Sequence, residues 1–248
     1  MTIWTYSLIS VVIVSLLSLL GILALLLQGD RLQHMLLYLV SFAVGGLLGD
    51  ALIHLIPESL EQLGSKLAAS LYIMAGFLAF FLLEKYILWR HFHVHAEERK
   101  VKAIVPMILL GDAVHNFIDG AVIGASYVVS IPIGITTTLA VVLHEIPHEI
   151  GDFGVLVYGG LSVRRAILLN FLTALTAIVG TVASLVISQQ LHSYASVVIP
   201  VTAGGFIYIA GSDLVPELQD ETRMSRSLVQ LLCIVCGVGI MSLLVLLG

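Results

Sequence analysis

His144-Glu145-Ile146-Pro147-His148-Glu149-Ile150-Gly151-Asp152 sets five ionisable side chains within nine residues, between the apolar flanks TTTLAVVL (136–143) and FGVLVYG (153–159). A charged group near the middle of a bilayer costs roughly 2.5–3.5 kcal/mol on insertion scales, so such a cluster persists only where it lines a polar cavity or binds something. Imidazoles and carboxylates alternating at this spacing point to a metal ion as the bound species.

The rest of the chain has a membrane composition. Of its 248 residues 59% are hydrophobic and 11% charged, with a mean hydropathy of +1.07, beyond the range of soluble globular chains. A span needs about 20 predominantly apolar residues, and eight segments qualify, at about 7–27, 35–56, 68–89, 104–127, 135–158, 166–188, 196–215 and 228–247. The connections are short, so residues 1–248 read as one transmembrane domain, all-α, with a His-bearing loop over about 90–103. Cys233 and Cys236 both fall in the last span, which argues against a disulfide framework.

The 11 Lys and Arg residues are distributed one-sidedly. Arg31 lies in the first loop; Arg90, Arg99, Lys100 and Lys102 border the third; Arg164 and Arg165 lie in the fifth; and Arg223 and Arg226 lie in the seventh. Short cytoplasmic loops collect such charges, so odd-numbered loops are expected in the cytoplasm and both termini outside. The opening MTIWTYS has no basic region, so the first span is expected to be a retained helix rather than a signal peptide.

An internal echo points to a transporter architecture. The second span closes with Asp50-Ala-Leu-Ile-His54-Leu-Ile-Pro57-Glu58 and the seventh with Gly-Ser-Asp213-Leu-Val-Pro216-Glu217. By the charge bias these run in opposite directions, as an inverted repeat of three spans around a central pair would produce, giving a 3+2+3 arrangement. The stripe Asp50, His54 and Glu58, with Asp213 and Glu217 as its counterpart, reads as staging positions along a pathway, or, for Glu58 and Glu217, as helix-end carboxylates at the water interface.

The central pair carries the chemistry. On the fourth span Asp112, His115 and Asp119 are three and four residues apart and share a face. On the fifth, His144, His148 and Asp152 recur every four residues, with Glu145 and Glu149 one position behind. Pro147 removes one backbone hydrogen bond and frees the carbonyl of Leu143, the local irregularity from which ion sites are built. His144-Glu145-Ile146-Pro147-His148 also matches H-E-x-x-H, so an intramembrane zinc metalloprotease is an alternative, and a metal-sensing receptor without flux is another. The proline inside the motif and the second polar stripe favour a pathway.

These residues resemble the ZIP (Zrt/Irt-like) family of divalent-metal transporters, in the branch marked by HEXPHEXGD. The fifth-span segment fits that pattern at every fixed position, and His115-Asn116-Phe117-Ile118-Asp119-Gly120 is similar to the branch's fourth-helix HNxxDG. The resemblance implies a transporter rather than an enzyme, moving zinc into the cytoplasm, with iron, manganese or cadmium as related cargo. It implies no organic cofactor or nucleic-acid partner. It further implies a primary site of His115, Asp119, His144 and His148, with Asn116 and Glu145 at a neighbouring position. The sixth span carries no acid, unlike bacterial relatives that bridge two metals there, so one well-formed site is expected. The accessory set comprises Asp112, Glu149 and Asp152 with the stripes above, and His91, His93 and His95 of the third loop would capture released metal. A homodimer in the plasma membrane, or the inner membrane of a bacterium, completes what the likeness implies.

Overall fold

The computed structural model describes residues 2–22, 30–92, 97–190, 193–219 and 223–247. Among these the chain is helical almost throughout. The first helix, Ile3–Leu17, tightens into a 3-10 turn at Ser18–Ile22, and the second combines Asp30–Gly49, a π-helical turn at Asp50–Leu55 and Ile56–Leu63. The third is Lys66–Phe92, the fourth Glu97–Val129 and the fifth Ile131–Tyr158. The sixth is broken into Val163–Ala174 and Thr176–Gln190, the seventh combines Tyr194–Tyr208, a π turn at Ile209–Leu214 and Val215–Gln219, and the eighth is Met224–Leu247.

Local chemistry explains several boundaries. Gly64 ends the second helix in the left-handed region at φ 60°, which favours glycine. Ser130 alone separates the fourth helix from the fifth: it is extended, and its hydroxyl accepts from the Ile133 N–H at 3.2 Å, with Pro132 in the first turn where no N–H partner is lost. The sixth breaks at Leu175, where the Thr173 hydroxyl lies 2.7 Å from the Asn170 carbonyl and the Thr176 hydroxyl 2.7 Å from the Thr173 carbonyl. Such back-bonding competes with the helical ladder. The fifth runs on as helix through Pro147.

Among the described residues, seven stretches are long and apolar enough to cross a membrane: Ile3–Gly21, Met35–Leu63, Lys66–Leu83, Ile108–Val129, Val163–Gln190, Tyr194–Ser212 and Met224–Leu244. The fifth helix, at 28 residues, falls outside that set on composition and not on length, because of its polar cluster. Leu67, Leu71, Leu82, Val179, Leu232 and Leu246 are all exposed, as lipid-facing side chains would be. The third helix runs to Phe92 and the fourth starts at Glu97, so helix occupies most of the segment expected as a loop over 90–103.

Glycines set the closest helix crossings. A Cβ on Gly120 of the fourth helix would collide with the Ala177 carbonyl of the sixth, and one on Gly180 of the sixth with the Phe117 carbonyl of the fourth. Gly45 and Gly237 bring the second and eighth helices together in the same reciprocal way, and Gly76 and Gly204 do so for the third and seventh. Without a hydrophobic drive between helices in lipid, small residues that let backbones touch supply much of the packing. The first, fourth and sixth helices are further tied by Ser10 Oγ to Tyr127 Oη at 2.7 Å, Ser15 Oγ to the Ala174 carbonyl at 2.9 Å and Thr181 Oγ1 to the Gly120 carbonyl at 2.8 Å. An apolar core of Val44, Leu47, Ile123, Val141, Ala203 and Phe206 joins the second, fourth, fifth and seventh helices.

Candidate metal centre

The fourth and fifth helices face one another across two adjoining polar clusters. In the first, one ligand atom from each of His115, Asp119, His144 and Glu145 lies within 4.8 Å of the others. His115 Nε2 is 3.1 Å from Glu145 Oε1 and 3.8 Å from Asp119 Oδ2, while His144 Nε2 is 3.1 Å from Asp119 Oδ2 and 3.5 Å from Glu145 Oε1. Asp119, His144 and Glu145 are buried, each with a side chain about 1% exposed. His115 Nε2 and both carboxylate oxygens of Glu145 make no aligned hydrogen bond.

His144 shows what this arrangement requires. Its Nδ1 sits 3.1 Å from the Ala140 carbonyl, which can only accept, so the ring proton belongs on Nδ1 and Nε2 carries the lone pair in the neutral ring. Its Nε2 lies 3.1 Å from Asp119 Oδ2 in a buried setting, and fixing a histidine through its second nitrogen is how proteins aim metal ligands.

The second cluster is Asp112, His148 and Asp152, again within 4.8 Å. His148 Nδ1 is 3.7 Å from Asp152 Oδ2, and the two side chains are 36% and 18% exposed, so this cluster is the more open. Asn116 Nδ2 donates to Asp112 Oδ1 at 2.6 Å, and the Thr173 hydroxyl donates to Asp112 Oδ2. Glu149 belongs to neither cluster: it is fully buried and accepts from Asn170 Nδ2. Three residues of the expected set therefore meet, His115, Asp119 and His144, and Glu145 joins them where His148 was expected. His148 is one turn further along the fifth helix, where Asp112, one turn before His115 on the fourth helix, and Asp152, a turn beyond His148, gather around it. Asn116 supports Asp112 through its Nδ2, while its buried Oδ1 makes no hydrogen bond.

Other expected residues fall elsewhere. Asp50, fully buried in the first π turn, lies 3.2 Å from His54 Nδ1, which is 2.6 Å from Thr136 Oγ1 of the fifth helix. Glu58 accepts from Gln62 at 2.8 Å near the surface. Asp213 lies in the second π turn and Glu217 in Val215–Gln219, but their side chains fall outside the described set, as does that of His91. His93 and His95 lie outside the described residues. The sequence reading passed over what Asn170 and Thr173 do. Their signal was an Asn-x-x-Thr-x-x-Thr stripe, 170–176, in an otherwise apolar span.

The comparisons agree with this chemistry. A family model described as the ZIP zinc transporter matches residues 1–104 and 89–245. The zinc transporter zipt-7.1 of Caenorhabditis briggsae is 34% identical over 96% of this chain and 78% of its own length. The zinc transporter SLC39A7 of Rattus norvegicus is 30% identical over 98% of this chain and 72% of its own. The zinc transporter ZIP13 of Pongo abelii is 37% identical over 83% of this chain and 65% of its own. These relatives are transporters and not enzymes, and the helices above are those of an integral membrane protein. A family match reaching from residue 1 to residue 245 makes this chain a member of the ZIP zinc transporter family.

Proposed function

We propose that this protein carries zinc, or a related divalent transition metal, through the membrane to the cytoplasm, and that the ion is held in transit by His115, Asp119, His144 and Glu145. The observation that carries this reading is the convergence of His115, Asp119, His144 and Glu145, one ligand atom from each within 4.8 Å of the others, three of them buried. Two imidazoles and two carboxylates suit zinc and similar ions without the near-permanent hold of a thiolate cage. The fifth-helix motif supports placement in the HEXPHEXGD branch.

The arrangement we favour is eight spans, 3+2+3, with an inverted repeat and both termini outside. In support, each π turn is six residues long and runs directly into a helix opening Ile56-Pro57-Glu58 or Val215-Pro216-Glu217. Exchanging the second helix with the seventh and the third with the eighth also interchanges two of the three reciprocal glycine crossings. The first, fourth, fifth and sixth helices would slide as one body against the others, carrying the ion with them. The charge bias of the loops supports a cytoplasmic side for the third and fifth loops; transport toward that side and a plasma-membrane homodimer are what family likeness implies.

A zinc-protease reading is disfavoured by the geometry, since H-E-x-x-H needs both histidines on one ion and here His144 turns to Asp119 and His148 to Asp152. Purified protein in sealed liposomes, with zinc outside and a zinc indicator inside, tests the proposal. Zinc entry above that of empty liposomes is expected. Cleavage of a transmembrane peptide without zinc entry would overturn it.

A further inference from the structure

We propose that Asp112, His148 and Asp152 form a second metal position, separate from the first and one helical turn nearer the cytoplasm, that receives a divalent ion on its way out. This rests on the transport reading above and adds residues to it.

Charge balance argues for it. Between residues 105 and 158 the two helices contain no Lys or Arg, yet they carry Asp112, Asp119, Glu145, Glu149 and Asp152 against His115, His144 and His148. Buried carboxylates need a compensating charge or proton. Each cluster holds two carboxylates, Asp119 and Glu145 in the first and Asp112 and Asp152 in the second, so one divalent ion in each neutralises it. Glu149 is left outside both, engaged by Asn170.

Geometry argues the same way. His148 Nδ1 makes no hydrogen bond although Asp152 Oδ2 is 3.7 Å away, a gap too long for a hydrogen bond. Asp112 is held by Asn116 and Thr173, which donate to its two oxygens and fix the carboxylate beside the open cluster. No carboxylate is shared between the clusters. What adjoins them is a pair of imidazoles, His115 and His148, with centroids 4.8 Å apart and planes at 16°. An ion leaving His115 therefore meets His148 next. The greater exposure of His148 and Asp152 places the second position at the mouth of the route, and three ligands with an open side hold an ion more loosely than four enclosed ones.

The test counts zinc ions per chain. The full protein in detergent, with His91, His93 and His95 changed to Ala throughout to remove loop binding, is stripped with chelator, dialysed against zinc and analysed for metal. Two ions are expected for this background, one for Asp112→Asn/Asp152→Asn and one for Asp119→Asn/His144→Ala. The control Asp112→Glu/Asp152→Glu, which keeps both carboxylates, is expected to retain two, separating lost ligation from misfolding. If Asp112→Asn/Asp152→Asn holds as many ions as the background, the second position is overturned and the first stands. If Asp119→Asn/His144→Ala holds as many as the background while Asp112→Asn/Asp152→Asn loses one, the first position falls and the second stands.

Discussion

The rings of His115 and His148 lie face to face, 4.8 Å between centroids, while His144 stands edge-on to His115 at 5.5 Å and 86°. His115 thus borders both clusters, one opening onto Asp119, His144 and Glu145, the other onto Asp112 and Asp152. The sequence spacing puts His144 and His148 on one face of one helix, and the structure sends them to different partners.

Because His148 borders the route between the clusters, His148→Ala should abolish zinc uptake while the protein stays folded and monodisperse in detergent. A loss of at least about ten-fold is expected, as for disruption of metal-site architecture generally. Uptake at the wild-type level would remove His148 from the pathway.

Asn170 is the donor that reaches buried Glu149 from the sixth helix. Asn170→Leu leaves that carboxylate without it, and an unsatisfied buried polar group costs about 1–3 kcal/mol. A lower thermal midpoint in detergent is expected, with Asn170→Gln falling between. An unchanged midpoint would show that Glu149 finds another partner.

At the crossing of the fourth and sixth helices, Gly120→Ala should destabilise the protein by about 1–3 kcal/mol, the range for overpacking, because the new methyl meets the Ala177 carbonyl. Gly154→Ala, where nothing lies within 4 Å, should be neutral or slightly stabilising. Equal midpoints for the two would contradict the close crossing.

Thr136 reaches His54 from the fifth helix, at 2.6 Å, linking the fifth helix to the second. Thr136→Val removes that link at a cost of about 0.5–1.5 kcal/mol and should lower the thermal midpoint accordingly. Thr138→Val, whose hydroxyl bonds only within its own helix, to the Gly134 carbonyl at 2.6 Å, serves as the comparison and should have a smaller effect.

Much of the helical layout was legible in the sequence because apolar runs and breakers are local signals. The Pro-Glu endings of the second and seventh spans marked where the helices change character, though the π turns ahead of them left no readable trace. Spacing put Asp112, His115 and Asp119 on one face, and His144, His148 and Asp152 on another. Spacing could not say which ring met which carboxylate, because that depends on how the two helices pack. Asn170 and Thr173 were seen only as positions lacking acid, since a neutral donor announces its partner only when helices pack.

Zinc flux into sealed liposomes through Asp119→Asn/His144→Ala, compared with the wild type at equal protein density, tests the central claim most directly. The account predicts wild-type entry reported by an internal indicator and none above background through the variant. Equal flux through both would place the route elsewhere in the molecule and contradict it.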